Sequence, residues 1–153
     1  MRIEQDFLEE RELSQVHSIL DTHAWKYGFI SNDPNFPIWN FDKTVGKPIA
    51  ELLLSKVPEY TLLDYHINGQ TLNLSSSLHN DSSAGATHAL VYFPYSWDYV
   101  YGGRLHIFSE QQVSIITPSK NLAVLFDANL MHYAEAPVTK HLRVSVGLKL
   151  KLK

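Results

Sequence analysis

Leu142-Arg143-Val144-Ser145-Val146-Gly147-Leu148-Lys149-Leu150-Lys151-Leu152 alternates apolar with polar or small residues along its whole length. Successive side chains of a strand point to opposite faces, so this stretch reads as a strand with a leucine–valine face and a face carrying Arg143, Ser145 and lysines. Two architectures accept it. In one the polar face lies in water, as in many antiparallel sheets. In the other the leucines pack on helices and Arg143 and Ser145 look into the mouth of a barrel. What the rest of the chain brings to this strand decides between them.

Working back from it, the chain from Glu59 onward is a series of short strands. They fall near Tyr60–Ile67, Thr71–Leu74, Ala89–Phe93, Arg104–Phe108, Val113–Thr117, Leu122–Asp127, His132–Ala136 and Leu142–Leu152. Turn signals separate them at Asn68-Gly69, Ser82–Gly85, Gly102-Gly103 and Pro118-Ser119. Such spacing implies a sandwich or jelly roll. The first third reads helical: Leu13, Val16, Leu20 and Ala24 recur at helical steps, with Glu9, Glu10 and Glu12 favouring the helix start. A loop follows from Ser31 to Pro37, and a second helix is expected to open at Pro48 and run through Ile49, Leu52, Leu53 and Val57 to Pro58. The expected fold is mainly β with N-terminal α-helices: one domain over residues 1–153, with 1–58 as helical support and 59–153 as the jelly-roll core.

Composition narrows the function. The 153 residues are 44% hydrophobic and 19% charged, as in a globular domain. A net charge of −3 argues against a nucleic-acid partner recruited by bulk electrostatics. No apolar run is long enough to span a bilayer, and the start Met1-Arg2-Ile3-Glu4-Gln5-Asp6 lacks the apolar stretch of a signal peptide, so no membrane partner and a cytoplasmic location are expected. With no cysteine, disulfide scaffolds, zinc ribbons, iron–sulfur clusters and cysteine nucleophiles are excluded. A metal would have to be held by nitrogen and oxygen, and the chain has eight histidines.

His79-Asn80-Asp81 puts an imidazole and a carboxylate two residues apart, on one face of an extended segment. His132 from a distant strand would complete a two-histidine, one-carboxylate face, which leaves coordination positions free and suits non-haem Fe(II). The pair is weak evidence alone. Arg143, one hairpin beyond His132, strengthens it, because a guanidinium there could grip a carboxylate bidentately. His66, His88 and His106 lie on expected strands but none is followed two residues later by a carboxylate. They read as structural or partly solvated, with His88 the strongest rival because it shares a strand face with Tyr92. His17, His23 and His141 read as surface residues. Tyr95, Trp97, Tyr99 and Tyr101 form an aromatic loop that either packs on itself or lines a peptide groove. Lys149, Lys151 and Lys153 read as a solvated edge that discourages aggregation.

Taken in order, these elements resemble the Fe(II)- and 2-oxoglutarate-dependent oxygenases, in their prolyl 4-hydroxylase-like branch of small bacterial and viral type. The resemblance covers roughly residues 60–150 and runs through Tyr65, His79-Asn80-Asp81, the strand His88 to Pro94, Ser96-Trp97-Asp98, Gly102-Gly103 to Phe108, Leu122–Phe126, His132 and Arg143-Val144-Ser145. The chain has Arg104 where many relatives have glutamate after the paired glycines. The resemblance implies a double-stranded β-helix in which His79, Asp81 and His132 bind Fe(II) as the catalytic centre. It implies that Arg143 pairs with the distal carboxylate of 2-oxoglutarate, helped by Tyr92 and Ser145, with Tyr65 near the cosubstrate's other end. It further implies O2 as co-reactant, leaves room for ascorbate as an accessory reductant, and points to a prolyl residue in a peptide or protein as substrate. A free amino acid or other small molecule is the alternative substrate. The competing class is a non-catalytic cupin-like or carbohydrate-binding jelly roll, in which His79, Asp81 and His132 do not converge.

Overall fold

The computed structural model describes residues 1–30 and 33–153. In chain order the elements are β1 (Arg2–Gln5), α1 (Glu10–Leu20), β2 (Trp25–Phe29), β3 (Ile38–Phe41), α2 (Lys43–Ser55), β4 (Tyr60–Gln70), β5 (His88–Phe93), β6 (Leu105–Phe108), β7 (Val113–Ile116), β8 (Leu122–Asp127), β9 (Met131–Ala134) and β10 (Arg143–Leu152). The strands form a seven-stranded sheet, ordered β1-β8-β5-β10-β4-β3-β2, and a three-stranded sheet, ordered β7-β6-β9. Every pairing is antiparallel. After β4 the chain crosses to the small sheet, where His79 makes a single bridge to His132. It returns for β5, crosses for β6 and β7, returns for β8, crosses for β9 and returns for β10.

The alternation of β10 now has a physical cause. Val144, Val146, Leu148 and Leu150 are buried against Leu13, Val16 and Leu20 of α1 and Ile49 and Leu53 of α2, joined by Ile67, Leu90 and Tyr92 from neighbouring strands. Burying each such side chain contributes about 1.5–3 kcal/mol. A second apolar cluster fills the space between the sheets, with Ala89, Phe93, Val124 and Phe126 of the large sheet facing Leu105 and Ile107 of the small one. The large sheet is therefore covered on both sides. No helix is long and apolar enough to cross a membrane among the described residues.

Several local expectations give way. The second helix opens at Lys43, not Pro48, because Asp42 caps it through the Val45 N–H at 2.9 Å. Pro48 lies inside it, in the second turn, where it can donate no N–H to the Thr44 carbonyl. The first 58 residues also supply three strands, all added to the edges of the large sheet. Asn68-Gly69 is not a turn but the continuation of β4, and glycine is required there by close approach: a Cβ on Gly69 would lie 2.7 Å from Leu142 Cδ1. Thr71–Leu74 is not a strand. Asn73, at φ 65°, reverses the chain, and Leu74 N–H donates to the Thr71 carbonyl. Of the expected Ser31–Pro37 loop, Ser31 and Asn32 lie outside the described residues; Asp33 to Phe36 makes a turn closed by Phe36 N–H to the Asp33 carbonyl at 3.0 Å.

Candidate metal and carboxylate site

The His79–His132 bridge brings two distant segments together, each backbone N–H donating to the other's carbonyl at 3.0 and 2.8 Å. It sets the two imidazoles side by side, their centroids 4.4 Å apart. Asp81 follows two residues later and is fixed by its own N–H to the Ala128 carbonyl at 2.9 Å. One ligand atom from each of His79, Asp81 and His132 lies within 4.8 Å of the other two.

The rings are also oriented for the task. His79 Nδ1 lies 2.7 Å from the Ser77 carbonyl and His132 Nδ1 lies 3.1 Å from that of Leu130. A carbonyl only accepts, so each Nδ1 carries a proton, which leaves Nε2 as the nitrogen available to a metal. His132 Nε2 lies 3.3 Å from Asp81 Oδ2. Burial holds His79 below the ordinary imidazole range, which keeps it neutral as a ligand must be. Burial works to raise the Asp81 carboxyl, but the hydrogen bond and charge of His132, with Lys149 beside it, hold it well below the usual carboxylate range. Two imidazoles and one ionised carboxylate, buried and converging, fit a divalent cation, which would take the place of the hydrogen between His132 Nε2 and Asp81 Oδ2.

The cavity beside this cluster is lined by the polar face of β10 and its neighbour β4. Register pairs Arg143 with Gln70, Ser145 with Asn68 and Gly147 with His66. Arg143 is only 2% exposed. Its Nε donates to the Gly103 carbonyl and its Nη1 to Gln70 Oε1 at 2.8 Å, with Ser145 Oγ at 3.5 Å. The Phe93 ring lies beneath the guanidinium at 5.0 Å. Gly103, at φ 67°, makes this approach feasible, since a Cβ there would lie 2.9 Å from Arg143 Cδ. Burial pushes the guanidinium down to about 10, so it remains charged at neutral pH. Among the described residues no carboxylate is within ion-pair distance of it. Among the described residues its Nη2 has no protein partner and no side-chain nitrogen or oxygen is sealed without one, so Nη2 opens on the cavity that Arg143 lines. A buried cation left in that state calls for an anionic ligand.

The structure thus brings together His79, Asp81, His132, Arg143 and Ser145. Tyr92 and Tyr65 are placed elsewhere. Tyr92 is buried on the helix side of β5 and donates to Asn121 Oδ1 at 2.9 Å, while its neighbour Val91 reaches the cavity. Tyr65 lies on the helix side of β4 and donates to the Lys43 carbonyl at 2.6 Å, while its neighbour His66 faces the cavity. Both assignments miss by one residue of strand parity, the least shift that reverses a face. The alternation that placed Arg143 on one face would have found His66, Asn68 and Gln70 as well, had Asn68-Gly69 not read as a turn. Lys149 is not a solvated edge. Its side chain is 20% exposed and its Nζ lies 3.2 Å from Asp81 Oδ1. Lys151 and Lys153 are exposed as expected.

The remaining histidines have other partners. His106 and the bidentate Arg104 share Glu135, each at 2.9 Å. His88 shares the helix-facing side with Tyr92 and packs its ring 5.0 Å from Tyr60. His17 is partly buried rather than at the surface, stacked on Tyr95 at 4.6 Å with Nε2 2.8 Å from the Pro94 carbonyl. In the aromatic loop Trp97 meets Tyr101 edge-on and donates to the Gly102 carbonyl, while Tyr99 stands exposed.

No protein-family description matches the sequence, and neither does any curated protein. Solved structures do match. A 2OG-Fe(II) oxygenase family oxidoreductase from Burkholderia pseudomallei superposes with a TM-score of 0.76 at 12% identity, over 96% of this chain and 82% of that one. A prolyl hydroxylase from Trichoplax adhaerens, in complex with a hypoxia-inducible-factor peptide fragment, gives 0.71 at 16% identity over 97% and 82%. A non-haem α-ketoglutarate-dependent carbocyclase from nogalamycin biosynthesis gives 0.69 at 8% identity over 97% and 78%. The chain therefore has the fold of the 2-oxoglutarate- and Fe(II)-dependent oxygenases.

Proposed function

We propose that this protein is an Fe(II)- and 2-oxoglutarate-dependent dioxygenase and that its two sheets form a double-stranded β-helix, with the second strand shortened to the His79 bridge. The observation that carries the reading is one cavity holding both a convergent His79, Asp81 and His132 and a buried, carboxylate-free Arg143. A non-catalytic jelly roll has no need of either, and the convergence it was expected to lack is present. When bound, iron with 2-oxoglutarate and O2 supplies the oxidation, coupling decarboxylation of the cosubstrate to hydroxylation of a C–H bond.

The chain's own residues bind, orient and exclude water. His79 and His132 offer Nε2 because Ser77 and Leu130 hold the opposite ring nitrogens. Asp81 offers Oδ2 on the side facing His132. Arg143, held at Nε by Gly103 and at Nη1 by Gln70, grips the distal carboxylate of the cosubstrate, with the Ser145 hydroxyl alongside. Val91, Leu105 and Ala134 keep the lining between these charges apolar, which strengthens electrostatic interactions inside.

The substrate we favour is a prolyl residue in a peptide or protein. The structural match to a peptide-bound prolyl hydroxylase supports it, and the exposed Tyr99 beside the packed Trp97 and Tyr101 offers an aromatic surface. One fold carries many substrates, so this choice is separate from the chemistry. The test is release of CO2 from 1-labelled 2-oxoglutarate in the presence of Fe(II), ascorbate and a panel of prolyl peptides. Release stimulated by a peptide that gains one oxygen supports the whole reading. Release without peptide oxidation removes the prolyl substrate, and no release under any condition removes the oxygenase.

A further inference from the structure

The polar ladder lining the cavity does not end at Arg143. Along β10 it runs Arg143, Ser145, Gly147, Lys149, and along β4 it runs Gln70, Asn68, His66, Asp64, in register. One strand thus carries a cation at each end of the cavity, six residues or about 20 Å apart by strand rise. The metal cluster lies at the lysine end, for Lys149 touches Asp81 whereas Arg143 touches Gly103 and Gln70.

Two observations set the lysine end apart. Lys149 and His66 line both the inner cavity and a second cleft walled by Asn40, Lys43, Asp64 and Tyr65, so they stand at the boundary between the two, with Asp64 paired to Lys43. Among the described residues nothing hydrogen-bonds the His66 ring and no side-chain nitrogen or oxygen is sealed without a partner, so its nitrogens open on the space it lines. Gly147, opposite, is the residue that leaves room: a Cβ there would lie 2.9 Å from His66 Nε2. Among the described residues Asp81 is the one carboxylate in contact with Lys149, through Oδ1. In the metal-loaded enzyme Asp81 would give Oδ2 to the cation and Oδ1 to Lys149, so a single negative charge would lie between two positive groups. The partly buried Lys149 then carries charge that a second anion can balance.

We infer that Lys149, with His66 beside it, recognises a carboxylate on the substrate, next to the C–H bond that is oxidised. This rests on the oxygenase reading and deepens it, since the cosubstrate's two acid groups are accounted for at Arg143 and the metal. The carboxylate could be the α-carboxylate of a free amino acid or an acidic side chain, and the same experiment separates them.

The probe is acetate. The protein is loaded with Mn(II), which broadens nearby nuclei without turning over, and with saturating 2-oxoglutarate. Mn(II) binding by electron paramagnetic resonance and 2-oxoglutarate binding by calorimetry are measured first on wild type, Lys149→Met and Lys149→Arg. Saturable broadening of the acetate methyl resonance in wild type, weakened at least about tenfold in Lys149→Met and retained in Lys149→Arg, is the expected result. Acetate broadening that is absent, or unchanged in Lys149→Met, overturns the proposal while leaving the oxygenase reading standing. Failure of Mn(II) or 2-oxoglutarate to bind wild type removes both. If Lys149→Met loses Mn(II) itself, while Lys149→Arg binds Mn(II) but not acetate, the lysine only positions Asp81 and the proposal falls. Acetate is then displaced with a mixture of the standard free amino acids or with their α-amides. Displacement by the first alone identifies an α-carboxylate, displacement by both an acidic side chain, and displacement by neither contradicts a substrate role.

Discussion

The two faces of β10 follow one alternation and do opposite work. Val144, Val146, Leu148 and Leu150 are sealed under the helices. Arg143, Ser145, Gly147 and Lys149 line a cavity inside the same fold. Polarity in the sequence marks a face, but it does not say whether that face meets water. Here the polar face is enclosed, and enclosure is what gives its charges chemical use. An ammonium or guanidinium in water is screened, whereas the same group in a cavity can select an anion.

The contrast is broken most severely from the apolar side. Leu150→Ala, at a site 0% exposed and away from the cavity lining, is expected to lower the unfolding free energy by about 2–5 kcal/mol in denaturant titration. Cosubstrate affinity of the molecules that remain folded should hold, and a selective loss of 2-oxoglutarate binding would mean that the faces are not separable. On the polar side, Arg143→Met should reverse the pattern. Relief from burying an unpaired charge offsets the loss of the hydrogen bonds to Gly103 and Gln70, each about 1 kcal/mol, so stability changes little, while calorimetry shows 2-oxoglutarate binding weakened at least about a hundredfold. Large destabilisation with normal cosubstrate affinity would make Arg143 a structural residue and the clamp assignment wrong.

How much of this was legible follows the same line. The strands from Tyr60 onward and the last strand could be read because alternation over long stretches has a single physical source. His79, Asp81, His132 and Arg143 could be singled out as candidates because metal and carboxylate chemistry restricts residue type so narrowly, and the structure brings the four to one cavity. What failed was parity and pairing. Tyr65 and Tyr92 sit one residue from cavity-facing positions, and strand parity is set by register to neighbours that the sequence does not name. β1, β2 and β3 went unseen because short strands at a sheet's margins are formed by pairing, β1 with β8, β3 with β4 and β2 with β3, rather than by their own pattern. Lys149 read as solvent-exposed because only the fold brings Asp81 to it.

Smaller effects sharpen the comparison. Ser145→Ala should weaken 2-oxoglutarate by about 1 kcal/mol in calorimetry with little change in unfolding, and an equal loss of stability would place the hydroxyl in the scaffold instead. The least effect belongs to the clasp between the two helices, where Lys56 Nζ lies 2.8 Å from Glu12. The hydrogen bond from Lys56, then that from the Glu9 N–H, hold the Glu12 carboxyl below its ordinary value. A carboxyl depressed on folding stabilises the protein above its unfolded pKa, and that contribution is lost as pH falls through the folded one. Glu12→Gln should therefore flatten the acid limb of the stability profile and leave the cavity's binding untouched. An acid limb identical to that of wild type would place the pH sensitivity elsewhere.

The central claim is that one enclosed polar face holds a metal at one point and a dicarboxylate at another. Anaerobic addition of Fe(II) and 2-oxoglutarate tests it most directly. A weak visible absorption should appear in wild type at saturating metal, vanish in His132→Ala, and in Arg143→Met return only at much higher 2-oxoglutarate. Wild-type protein that stays colourless with saturating Fe(II) and 2-oxoglutarate would contradict the account.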